Sequence, residues 1–85
     1  MADLTRLEVI KLIAVTERVN LSGVDLSGVD LSKLSFEEAR LNSANLEGAN
    51  LQGADLFSAK LNSANLEGVN LEGANLRGVR GYNKK

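Results

Sequence analysis

The chain has 85 residues, a net charge of −1, and no Cys, His, Trp or Pro. This composition excludes disulfides and thiolate metal sites, removes the commonest neutral-pH base and metal ligand, and leaves no aromatic platform for stacking nucleic-acid bases. The length suits one small domain, and no apolar run approaches the roughly 18–20 residues of a membrane span.

The charge is spread unevenly. Residues 1–18 carry three acids and three bases, residues 19–78 carry eight acids against four bases, and Arg80, Lys84 and Lys85 make the end basic. A body of charge −4 argues against direct binding of nucleic acid. The start of the chain lacks the basic and apolar blocks of a secretory signal, so cytoplasmic residence is the expectation.

The first predicted element lies within residues 1–18. Thr5 and Glu8 have capping-box spacing, and Leu4 with Val9 has the spacing of a hydrophobic staple, so a helix should start here. Good helix formers without Gly or Pro continue it to about Val15. Leu7, Ile10 and Ala14 share one face, which Val9, Leu12 and Ile13 broaden, so the helix needs something to cover. A membrane-surface helix would want a basic polar face, whereas the charges here are mixed. A cap on the domain that follows is the better reading.

From Val19 to Gly78 the chain beats every five residues. LNSANLEG occurs at Leu41–Gly48 and again 20 residues later at Leu61–Gly68. Leu stands at every fifth position from 21 to 76, except that Phe36 fills one place. An apolar residue precedes each member of the row by two. A five-residue beat fits neither an amphipathic helix nor an alternating strand. It fits a chain that points two side chains inward and then turns a corner, and the corner positions are rich in Gly and Ser. Four sides of five make the 20-residue spacing and predict a β-solenoid.

The unit reads Ala-Asp/Asn-Leu-x-x, as in ANLEG (Ala44–Gly48), ANLQG (Ala49–Gly53), ADLFS (Ala54–Ser58) and ANLRG (Ala74–Gly78). It resembles the pentapeptide-repeat family. The resemblance implies a right-handed quadrilateral β-helix of three coils, twelve pentapeptides over 19–78, with the short N-terminal capping α-helix in 1–18 and a tail at 79–85. Ser35, Arg40 and Lys60 depart from Asp/Asn before the central Leu, which should alter surface charge rather than fold. Bulky Val19, Val24, Val29 and Leu34 in the first coil suit an end layer meeting the helix, while the Ala-rich later coils suit a narrow interior.

Residues 20 apart should stack outside the coil. Asn42 is expected over Asn62, Asn45 over Asn65 and Asn50 over Asn70, as structural amide ladders. Glu47 over Glu67 and Arg40 over Lys60 stack like charges. Phe57 should point outward between Glu37 and Arg77. After Gly78 the pattern fails, because Gly81 stands where a Leu is expected.

The polar groups lie on convex sides and do not converge, so neither a catalytic site nor a metal or cofactor site is expected. Two function classes remain. The first is a non-enzymatic protein-interaction or structural scaffold module. The second is implied by the resemblance: a DNA mimic that binds a type II topoisomerase, a role that wants a longer and more acidic rod. The partner is expected to be a protein rather than nucleic acid or membrane. A third coil with little tail to cover it predicts a homodimer through the C-terminal end, with Arg80, Lys84 and Lys85 deterring open-ended stacking; a monomer capped by its own tail, through Val79 and Tyr82, is the alternative. Phe57, Leu76 and Tyr82 are the candidate protein contacts.

Overall fold

The computed structural model describes residues 2–82. Helix α1 spans Arg6–Val15, and its N-terminus carries the predicted capping box: Glu8 N–H donates to Thr5 Oγ1 at 3.3 Å, and Thr5 N–H donates to Glu8 Oε1 at 2.8 Å.

Beyond the helix the backbone forms single parallel bridges, each joining residues 20 apart, from Asn20↔Arg40 to Lys60↔Arg80. The residue before the central Leu is the one that pairs. Each side is so short that only one residue bridges before the chain turns. The result is a β-helix whose ladder is written in isolated bridges instead of long strands. The corners are β-turns closed by bonds such as Val24 N–H to the Leu21 carbonyl at 3.1 Å. Their third residue is left-handed, with φ 70° at Gly28. That is the geometry of a type II turn. Lys33 (62°) and Glu38 (59°) adopt it as well, and neither is a residue that the conformation favours.

The core is the inward row. Leu46, Leu51 and Leu56 are fully buried, as are Leu21, Leu26, Leu31 and Phe36 in the coil before. Ala39, Ala44, Ala49 and Ala54 are buried beside them, where their small size suits coils spaced about 4.8 Å apart.

The helix covers the first coil, but with a different face from the one its sequence suggests. Val9 is fully buried and Leu4 and Ile13 pack with it, whereas Leu7 and Val15 are 59% and 82% exposed and Ala14 faces solvent. A helix apolar on most sides has no strong preferred face, so its rotation is set by polar tethers at its start. Asp3 N–H donates to the Asp25 carbonyl at 2.6 Å, and Arg6 reaches the Asp30 and Ser32 carbonyls at 2.8 and 3.1 Å.

The ladder runs past Gly78. Arg80 N–H donates to the Ala59 carbonyl and Leu61 N–H donates to that of Arg80, at 2.9 and 2.7 Å. Gly81 then passes so close to the backbone of Asn62 that a Cβ would lie 2.6 Å from its nitrogen. This explains why a Leu cannot stand there. Lys84 and Lys85 lie outside the described residues.

Candidate interaction surfaces

The two ends of the rod differ. At the N-terminal end Asp3 treats the edge of the first coil as a preceding coil would, donating to Asp25 and accepting its N–H on Oδ2 at 2.9 Å. At the C-terminal end Leu66, Leu71 and Leu76 are only half-buried, together with Ala64, Val69, Ala74 and Val79. Leu61, of the same coil, is by contrast 1% exposed, because the ladder continues over it to Arg80. Tyr82, which follows Gly81 at the same end, is half-buried against the core. Among the described residues no backbone acceptor meets the N–H groups of Leu66, Leu71 and Leu76, and no donor meets the carbonyls of Ala64, Val69 and Ala74.

Of the three contact residues expected from sequence, Leu76 and Tyr82 therefore share the C-terminal end. Phe57 does not join them. It lies on an outer corner, 39% exposed, with its carbonyl accepting from Glu38 N–H at 2.7 Å.

The outer sides are ordered by a device that the amide-ladder reading misses. Asp or Asn before the central Leu accepts, through its side-chain oxygen, the N–H two residues on, as in Asn45 to Glu47 at 3.1 Å and Asn65 to Glu67 at 3.0 Å. These are Asx turns that pin each corner. Side-chain bonds along the axis form where an amide lies over a carboxylate: Asn50 on Asp30 (3.4 Å), Asn75 on Asp55 (3.2 Å) and Gln52 under Glu72 (3.2 Å). Asn bonded over Asn does not occur among the described residues. The signal was present in the two-residue spacing from each Asx to the corner.

Two of these carboxylates titrate below the ordinary range. The Ser27 hydroxyl at 2.6 Å and then the Ser27 N–H at 2.9 Å favour the charged form of Asp25, against the smaller effect of burial. Ser32 does the same for Asp30 at 2.7 and 3.0 Å, with a lesser contribution from Arg6. No group of three or more acidic side chains gathers to hold a metal ion among the described residues. Glu38, one of the adjacent carboxylates at Glu37 and Glu38, is bound by Arg18 at 3.0 Å.

The model for pentapeptide repeats matches residues 20–56 and 54–80, with eight copies. The chain belongs to the pentapeptide-repeat family. A pentapeptide repeat protein of the Arabidopsis thaliana thylakoid lumen is 39% identical with a TM-score of 0.73, over 78% of this chain and 46% of its own. The pentapeptide repeat protein Rfr23 from the cyanobacterium Cyanothece 51142 is also 39% identical, with a TM-score of 0.69, over 72% and 42% respectively. This pentapeptide-repeat chain thus aligns with less than half the length of either solved structure. None of the curated proteins matches it.

Proposed function

We propose that this chain is a non-enzymatic protein-interaction or scaffold module, a right-handed four-sided rod of three coils whose C-terminal layer pairs with a second copy. The carrying observation is the pattern of that end. Two sides hold a carbonyl (Val69, Ala74) followed two residues on by an N–H (Leu71, Leu76), and among the described residues neither group has a backbone partner. A second copy turned over on a two-fold axis sets carbonyls opposite N–H groups, as in an antiparallel pair, and buries the half-covered Leu layer in the same step. The assembly closes, because α1 and its tethers occupy both outer ends. Leu76 and Tyr82 belong to this contact, while Phe57 is left on the outside for another partner.

The DNA-mimic reading has less support. The longest dimension is 32 Å with the helix included, short of one DNA turn of about 34 Å, and Arg40, Lys60 and Arg80 interrupt the acidic surface. Sedimentation equilibrium over a wide concentration range tests the dimer. The expected result is a species near twice 9.1 kDa, dissociated by Leu76→Lys and untouched by Phe57→Lys. A single species near 9.1 kDa at high concentration would sink it.

A further inference from the structure

On one side of the rod the rule that orders the others holds at Asn20 and then breaks three times in succession. Thirteen residues occupy the slot before the inward position from Asn20 to Arg80, and nine are Asn or Asp. All nine use the side-chain oxygen to accept the N–H two residues on. Arg40, Lys60 and Arg80 cannot, because their side chains carry donors alone. Ser35 is the remaining exception, and it stands by itself.

The three cations are not scattered. The bridges Arg40↔Lys60 and Lys60↔Arg80 place them in one column, rising about 4.8 Å per step. Like charges directly opposite on a ladder repel, so this column gives up three corner pins and adds repulsion in the same place. Among the described residues nothing offsets it: none of the three forms an ion pair, and the nearby Glu38 is taken by Arg18. Together with Arg18, Glu38 and Ser58 they line a groove of about 660 Å³. A local rule broken three times at one spot, without compensation among the described residues, is the mark of a site whose compensation binds from outside.

We infer that this column is a binding site for a phosphate-type oxyanion, free or carried as the phosphoryl group of a larger molecule. Arg40 and Arg80 supply planar forks that match two oxygens at once, and Lys60 between them supplies a mobile point charge. Their spacing lets the long side chains converge on one tetrahedral dianion or share the two ends of a diphosphate. The Ser58 hydroxyl at the groove wall adds a neutral donor. On the other three sides no bridging residue is a cation.

Titration of the whole chain with inorganic phosphate and with diphosphate, at constant ionic strength in chloride, tests the site by amide and arginine side-chain NMR. The expected result is saturable shifts confined to the residues around 18–20, 38–42, 58–62 and 78–82, with diphosphate at least tenfold tighter. Lys60→Asn should weaken diphosphate at least tenfold while raising the unliganded Tm, since Asn restores the corner pin and separates Arg40 from Arg80. Arg40→Gln gives an independent variant with the same expected loss of affinity. Shifts that follow ionic strength alone, or that persist unchanged in both variants, would overturn the site. Vesicles of phosphatidylcholine with and without phosphatidate separate the sources. Co-sedimentation with phosphatidate vesicles alone assigns a headgroup, and diphosphate binding without it assigns a soluble ligand.

Discussion

Arg6 does for Asp30 what a whole coil does elsewhere. Inside the rod the N–H groups of Leu31 and Lys33 donate to the carbonyls of Asn50 and Gln52 at 2.7 and 2.9 Å. The carbonyls of Asp30 and Ser32 occupy the same two slots one coil earlier. There the two terminal nitrogens of Arg6 take the place of the missing backbone donors, at 2.8 and 3.1 Å. A side chain thereby ends a ladder that would otherwise present an edge for another chain to extend.

Arg6→Ala should accordingly cost about 1 kcal/mol, the ordinary net worth of such bonds for a half-exposed group. Arg6→Lys is the informative variant. It keeps the charge beside Asp30 but cannot present a fork to two carbonyls. Urea titration should show Lys losing most of what Ala loses. A fully wild-type Lys variant would mean that the 3.4 Å ion pair with Asp30, and not the carbonyl bonds, holds the helix.

The inward row should dominate stability. Truncating Leu46, Leu51 or Leu56 to Ala removes a fully buried side chain and should cost about 2–5 kcal/mol. The exposed Glu47→Ala should stay within about 0.5 kcal/mol. Leu76→Ala should cost less than the middle row in dilute solution and approach it at concentrations that favour the dimer. Denaturation midpoints measured at two protein concentrations check both statements.

The corners allow a test of backbone strain free of packing. A Cβ on Gly28 would meet nothing within 4 Å, so Gly28→Ala should cost about 1–2 kcal/mol through its left-handed conformation alone. At Lys33, φ 62°, the reverse change to Gly should stabilise by about 1 kcal/mol. Thermal unfolding of the two variants should move in opposite directions. A shift of the same sign would remove strain as the cause.

Acid should weaken the first coil. Asp25 and Asp30 titrate below their ordinary value of 3.8 when folded, so in that range the unfolded chain binds more protons than the folded one. Their contribution is complete above the ordinary carboxylate range and is lost as pH falls through it and below. Asp25→Asn and Asp30→Asn keep the acceptor oxygen but not the charge, and should flatten the acid limb of a urea midpoint measured from pH 7 to pH 3.

The inward row and the 20-residue register were legible because each needs only one kind of residue at one spacing. Leu26, Leu46 and Ala44 have no alternative role in such a coil. The helix was legible in its ends but not its rotation, because Val9 and Leu7 are equally apolar and only the distant tethers at Asp25 and Asp30 choose between them. Lys33 and Glu38 hide their left-handed backbone, since that conformation is imposed on them by the coil rather than by their own preference. Stacking order points the Asn rows along the rod, whereas their main bonds lie within each corner, a matter of side-chain direction that stacking does not settle.

The bridge register also sets which rearrangements of the repeat a descendant could tolerate. Removing five residues would leave every Leu still facing inward, because the interior counts in fives. The exterior counts in twenties. The same deletion between Arg40 and Lys60 would move Lys60 round one corner, lift it off Arg40, and set new neighbours along every side beyond it. Folding would survive such a change while any outer column was lost. Only whole-turn duplications, of the kind that the two LNSANLEG copies resemble, lengthen the rod and preserve its markings together.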